Sequence, residues 1–224
     1  IATRRIATSQ WRPSLEGFTS RCPSSAIILT NPGEPVMRDV WVNHKVGYGL
    51  IVQTMRPKDW MPSGWEDRGF EVPSARHTLG SYHDVHVTAN NRSNPHQHGM
   101  LFMNKIQKYA EDGVARIDKP GEFFNHVNFF GGHTAVGGIG LNFLDVTHIN
   151  SFGHHVDSSV RGGLWLQGRS GNAVWHAGFI EGKTVMVDGV KSKAPAIFGD
   201  KQHEFSYAND RYNKNPKIFA DYTE

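Results

Sequence analysis

Apolar residues in this chain come in short runs that alternate with polar ones and stop at Gly, Pro or Asn. "DVWVNHKVGYGLIVQT" (Asp39 to Thr54) is typical: two alternating runs separated by a polar, glycine-containing break. "AIILT" (Ala26 to Thr30) lies between Pro23 and Pro32, and "AVWHAGFIEGKTVMVDG" (Ala173 to Gly189) holds two short runs around Gly182. Period-two runs bounded by turn formers predict strands. One segment suits a helix better. In "MLFMNKIQKYAEDGVARI" (Met100 to Ile117), Met103, Ile106 and Ala110 have helical spacing and Gly113 can end it, so a turn or two of helix is expected there.

The runs repeat. Asp39-Val40-Trp41-Val42 precedes Gly49-Leu50-Ile51-Val52, and Asp84-Val85-His86-Val87 precedes Gly99-Met100-Leu101-Phe102. His126-Val127-Asn128-Phe129 precedes Gly138-Ile139-Gly140-Leu141-Asn142-Phe143, and Asp145-Val146-Thr147-His148-Ile149-Asn150 precedes Gly162-Gly163-Leu164-Trp165-Leu166. Asn172-Ala173-Val174-Trp175 opens a weaker fifth copy. Anchored on the valine, the shortest step, Val127 to Val146, is about one coil of a β-solenoid; longer steps carry an inserted loop or a second coil. A strand of three to five residues cannot bury its face alone, but copies stacked about 4.8 Å apart pair with one another and build apolar columns. Glycine then serves the tight corners, and Asn43, Asn90 and Asn150 suit left-handed ones. "DVTHIN" fits imperfectly, because His148 falls where Val42 sits in "DVWVN"; a bulge or a slip of one residue is expected there.

Composition supports strands over helices. The 224 residues include 24 Gly, 13 Phe, 6 Trp and 13 His, and long stretches of Ala, Leu, Glu and Lys are scarce. The fold class expected is all-β, as a parallel β-helix with inserted loops; a β-sandwich or jelly roll, with similar short strands, is the alternative. The organisation expected is an N-terminal arm or cap over 1–25, a β-helix domain over 26–190 with loop insertions at 56–77 and 103–122, and a C-terminal cap or arm over 191–224. A single cysteine, Cys22, excludes an internal disulfide framework. The formal charge of +3 is nearly balanced, and the basic patch at Arg4, Arg5 and Arg12 does not continue, so no nucleic-acid partner is expected. No apolar run reaches the length of a membrane helix, so no insertion is expected.

"DVWVNHKVGYGLIV", "HVNFFGGHTAVGGIGLNF" and "DVTHINSFGHHVDSSVRGGLWLQG" resemble coils of the right-handed parallel β-helix of the pectate-lyase-like superfamily, most like a bacteriophage tailspike, over roughly Ala26 to Asp188. The resemblance implies a homotrimer, associated with other virion subunits, in a virion tail or outside the cell. It implies binding of a bacterial surface polysaccharide and its depolymerisation by hydrolysis or elimination, with a non-catalytic structural or adhesin β-helix as the alternative. Its motifs bear on fold more than on activity and assign no catalytic roles.

The residues themselves offer several constellations. "RPKDWMPSGWEDRGFEVPSARH" (Arg56 to His77) places Trp60, Trp65 and Phe70 among Asp59, Glu66, Asp67 and Arg68, which suits sugar rings flanked by hydroxyl-binding groups. Covering the coil beneath, or a neighbouring subunit, is its other use. Glycoside hydrolysis needs two carboxylates, and the candidates are Glu66, Asp67, Asp84, Asp157 and Glu181. Elimination needs a His, Tyr or Lys base and a cation for the uronate, which Arg161 or Arg169 supplies. His96 with His98, and His154 with His155 and Asp157, are possible metal ligands, but no closed ligand spacing is present and no metal is assigned. Packed neutral histidines are the simpler reading, and they predict acid sensitivity. There is no P-loop, convincing GxGxxG or GxSxG, so no cofactor is expected.

Overall fold

The computed structural model describes residues 5–7, 14–22, 27–54, 77, 79–104, 124–157, 161–167, 170–176, 178–181, 184–186 and 196–198. Among them there are strands and no helix, and so no helix long and apolar enough to cross a membrane. The strands fall into two sheets. Sheet one holds β1 (Arg5–Ala7), β3 (Ile27–Thr30), β5 (Gly47–Thr54), β7 (Gln97–Asn104), β10 (Ile139–Leu144), β13 (Gly162–Gln167) and β16 (Thr184–Met186), paired in that order. Sheet two begins with β2 (Ser14–Cys22), β4 (Val36–His44) and β6 (Gly80–Ala89). Beyond β6 it continues as two half-width rows. One is β8 (Asn125–Phe130), β11 (Thr147–Phe152), β14 (Gly171–His176) and β17 (Ala196–Phe198). The other is β9 (His133–Ala135), β12 (His155–Asp157) and β15 (Phe179–Ile180).

The chain passes repeatedly between the sheets, with β8–β9, β11–β12 and β14–β15 as consecutive strands of sheet two, and every pairing among the described strands is parallel. That excludes the antiparallel pairing on which a sandwich or jelly roll depends. In "DVWVNHKVGYGLIVQT" the two runs belong to β4 and β5, which lie in different sheets and do not pair with each other.

Sheet one keeps the register expected from the glycine-anchored runs: Leu50 pairs with Met100, Met100 with Leu141, and Leu141 with Leu164. Two residues on, Leu29, Val52, Phe102, Phe143 and Leu166 form a second buried column. The core joins both sheets. Phe102 lies flat against Phe143 at 5.2 Å and edge-on to Tyr82 and Phe129 of sheet two at 5.2 and 5.6 Å. Met100 to Asn104 lie in β7, so the helix expected from Met100 is overturned for those five residues; 105–117 lie outside the described residues. β-Sheet pairing of Met100 to Met103 with β10 overrides the local helical spacing.

Sheet two departs from the valine-anchored register. Ile149, not Val146, pairs with Val127, so His148-Ile149-Asn150-Ser151-Phe152 repeats His126-Val127-Asn128-Phe129-Phe130 at a step of 22 residues. Asp145-Val146 lies just before β11. The left-handed corners also differ from expectation. Asn43 and Asn150 are inside β4 and β11, while φ is positive at Asn31, Asp39, Asp84, His126, Asp145 and His148. Asp and His tolerate this region better than apolar residues do. In sheet two the bend puts two outward residues in succession, Arg38-Asp39 in β4 and His83-Asp84 in β6. Gly131 and Gly153, both with positive φ, occupy the equivalent place in later repeats. A β-carbon at Gly131 would collide with the Asp84 carboxylate.

Residue 77 carries a further buried contact. His77 bridges Gly33 and Phe124 in parallel pairing, stacks on Phe124 at 4.2 Å, and is fully buried.

Candidate functional site

The chain enters sheet one from sheet two at an edge built from Lys45 to Tyr48, Asn90 to His98, Val136 to Ile139, and Asp157 with Arg161. The 90–96 segment is held by its own turns. Asn91 Oδ1 accepts from the Ser93 N–H and Asn94 Oδ1 from the His96 N–H, both at 3.0 Å. Buried Gln97 fastens it to the preceding repeat: its Nε2 donates to the Lys45 carbonyl at 2.6 Å and its Oε1 accepts from the Asn91 N–H at 3.1 Å. Gly137 and Gly138 let this segment sit close, since a β-carbon on Gly137 would strike the Arg92 and Asn94 carbonyls and one on Gly138 the His98 ring. The glycines of "GGHTAVGGIG" thus serve close packing here.

Tyr48 and His98 occupy matching positions in β5 and β7, with rings 4.8 Å apart. His98 Nδ1 accepts from the Ile139 N–H at 3.0 Å, so in the neutral ring the proton sits on Nε2. Burial, with Arg161, His44 and His96 adding like charge, holds His98 at about 4. The Tyr48 hydroxyl accepts from Asn142 Nδ2 at 2.7 Å, and Asn142 Oδ1 accepts from Gln167 Nε2 at 2.6 Å. Burial raises the Tyr48 phenol, while the Asn142 bond and the Arg161 charge oppose that rise. At neutral pH, Tyr48 and His98 therefore each carry a proton, beside the Arg161 cation. Such an array suits oxygen-rich ligands: hydroxyls and carboxylates.

Two of the carboxylates singled out from the sequence lie on the same edge. Arg92 Nη1 donates to Asp157 Oδ2 at 3.0 Å, and His133 Nε2 is 3.8 Å from the same oxygen. Val156 pairs with Ile180, and the Glu181 N–H donates to the Val156 carbonyl at 2.7 Å, so Asp157 and Glu181 hold equivalent places in adjacent repeats. Gly163, two residues after Arg161, packs against the Glu181 backbone. Asp84 is elsewhere, on the exposed face of sheet two, in line with Asp39. Trp60, Trp65, Glu66, Asp67, Arg68 and Phe70 lie outside the described residues.

The possible metal sets do not assemble. His154 is buried, with Nδ1 on the Gly131 carbonyl at 2.9 Å and Nε2 on the Thr134 hydroxyl at 3.0 Å, whereas His155 points to the outer face. Among the described residues no three His, Cys, Asp or Glu side chains converge as metal ligands. Tyr48, His98 and Asn142 were not singled out as a group by sequence reasoning, although Tyr48 and His98 each precede the anchoring glycine of their run. No family model, curated protein or solved structure matches the chain.

Proposed function

We propose that the chain is a right-handed parallel β-helix of the pectate-lyase-like type, resembling a phage tailspike, that binds and depolymerises a bacterial surface polysaccharide as a homotrimer in a virion tail or outside the cell. Repeated passage between two parallel sheets supports the fold. The observation that carries the function is the edge where Tyr48, His98 and Arg161 present protons and positive charge to oxygen ligands, with Asp157 and Glu181 at the ends of the sheet-two strands that lead to it. In this reading Arg161, Tyr48 and His98 bind the sugar, and Asp157 with Glu181 performs acid and base work on the glycosidic bond. Hydrolysis is favoured over elimination, because the Tyr48 phenol stays protonated and the lone pair of neutral His98 is taken by the Ile139 N–H.

The test is incubation with a panel of bacterial polysaccharides, following viscosity, new reducing ends and the ultraviolet absorbance of unsaturated products. Reducing ends without unsaturation, lost in Asp157→Asn, are expected. Unsaturated products would overturn the hydrolytic role, and intact polymer throughout would overturn the enzyme. The second reading is a non-catalytic adhesin. Its form as a structural β-helix that binds neighbouring subunits is favoured by the outer face of sheet two, where Trp41, Phe130 and Phe152 are exposed.

A further inference from the structure

Seven of the 13 histidines share the outer face of sheet two: His83, His86, His126, His133, His148, His155 and His176. They stand in rows across the strands. His83, Phe130, Phe152 and His176 form one row, with successive rings 4.6, 5.3 and 4.7 Å apart and within 14° of parallel. Trp41 and His86 stack at 3.8 Å, and the register continues that row through His133 and His155. His126 lies on His148 at 4.7 Å.

Stacking of this kind covers ring faces and leaves edges to solvent. Single-stranded nucleic acids are held by bases stacked on open aromatic faces, and neutral pyranoses use the same faces, so both are poorly served here. Imidazole edges are N–H donors, and once protonated each ring donates from both nitrogens. We propose that the outer face of sheet two is a proton-gated binding surface for a carboxylated polysaccharide, whose carboxylates accept hydrogen bonds from the imidazole edges in acid. The choice of a glycan rests on the function proposed above; the gating rests on the histidine rows alone.

The fixed charges nearby are few and mixed. Arg38 and Asp84 act on His83, Asp84 and Asp39 on His86, and His148 on His126. His133 faces Asp157, Arg92, His86 and His155. Burial, first in each case, holds His83, His86, His126 and His133 below the ordinary histidine value. These four histidines are therefore close to neutral at pH 7.5 and gain positive charge as the pH falls through the acid range.

The experiment measures binding of fluorescent polygalacturonate to the full chain at pH 7.5 and 5.5 at one ionic strength, with circular dichroism verifying the fold at both. An affinity gain of about tenfold or more at pH 5.5, shrinking at high salt, is expected from several added charges. Neutral dextran should show no gain. His83→Gln combined with His86→Gln and His126→Gln should remove most of the gain, and the single variant His83→Gln should remove part of it. Tyr48→Phe, at the other site, should weaken cleavage and leave the gain intact, which separates failure of this proposal from failure of the enzyme reading. Equal affinity at the two pH values, a full gain in the triple variant, tighter acid binding of oligothymidylate, or acid-induced self-association in place of binding would each overturn it.

Discussion

Lowering the pH from 7 to 4 should destabilise this protein through its low-titrating histidines: the fully buried His154 and His77, with His98 adding to them. His154 is fully buried, its Nδ1–H donates to the Gly131 carbonyl at 2.9 Å, and its Nε2 accepts from the Thr134 hydroxyl at 3.0 Å. His77 is arranged alike: Nδ1–H donates to the Asn125 carbonyl at 3.2 Å and Nε2 accepts from the Tyr82 hydroxyl at 2.9 Å. Each neutral ring has both nitrogens satisfied, and a second proton would meet a hydroxyl already oriented as a donor. Burial, the largest cause in both, lowers His77 to about 4 and His154 to about 3, against 6.5 unfolded. The unfolded chain therefore binds more protons than the folded one below pH 6.5. Stability falls as the pH drops through that window, and the loss levels off below each folded value. At pH 4 each histidine costs about 3 kcal/mol, and the pair about 6 kcal/mol, comparable with the whole stability of many domains. Urea unfolding followed by tryptophan fluorescence at pH 7, 5.5 and 4 measures the total. His154→Gln should be weaker at pH 7 yet lose about 3 kcal/mol less than the parent between pH 7 and 4. An unchanged pH slope in that variant, or a folded His154 imidazole titrating near 6.5 by NMR, would refute the argument.

Three further outcomes follow from the packing. Phe102→Ala removes a ring that touches Tyr82, Phe129 and Phe143, and should cost about 3–5 kcal/mol in denaturant unfolding. Asp84→Val forces a branched residue to a φ of 47° and should cost about 1–2 kcal/mol, whereas Asp84→Gly, matching Gly131 and Gly153 in the same row, should stay within about 0.5 kcal/mol of the parent. Gly138→Ala strikes both the His98 ring and the Gln97 backbone carbonyl, and should weaken glycan binding and lower the melting temperature together, read by calorimetry beside a binding assay.

Sheet one could be read from the sequence because its strands alternate without interruption. Aligning Leu50, Met100, Leu141 and Leu164 reproduces the pairing observed. Sheet two resisted because a left-handed residue puts two side chains outward in a row, which period-two reasoning has no place for. Asp145-Val146 then looks like Asp39-Val40, although the true counterpart of His126-Val127 is His148-Ile149. The site was legible in part. Asp157, Glu181 and Arg161 were found by residue type, but their shared edge depends on which repeats are adjacent. Tyr48 and His98 are fifty positions apart and meet only through the register, yet "YGL" and "HGM" already mark them as equivalent.

β5 and β7 have one more property in common. After both, a long stretch of sequence, 55–76 and 105–123, separates the strand from the next described residue on the way to sheet two, whereas β3, β10 and β13 are followed by a strand of sheet two within a few residues. Their last residues are joined: the buried Thr54 hydroxyl donates to Asn104 Oδ1 at 2.8 Å. The two intervening segments are thus anchored at neighbouring strand ends of sheet one. For an engineer they are exchangeable cartridges. A new segment between residue 54 and residue 77, or between 104 and 124, inherits a fixed pair of anchor points at the ends of described strands.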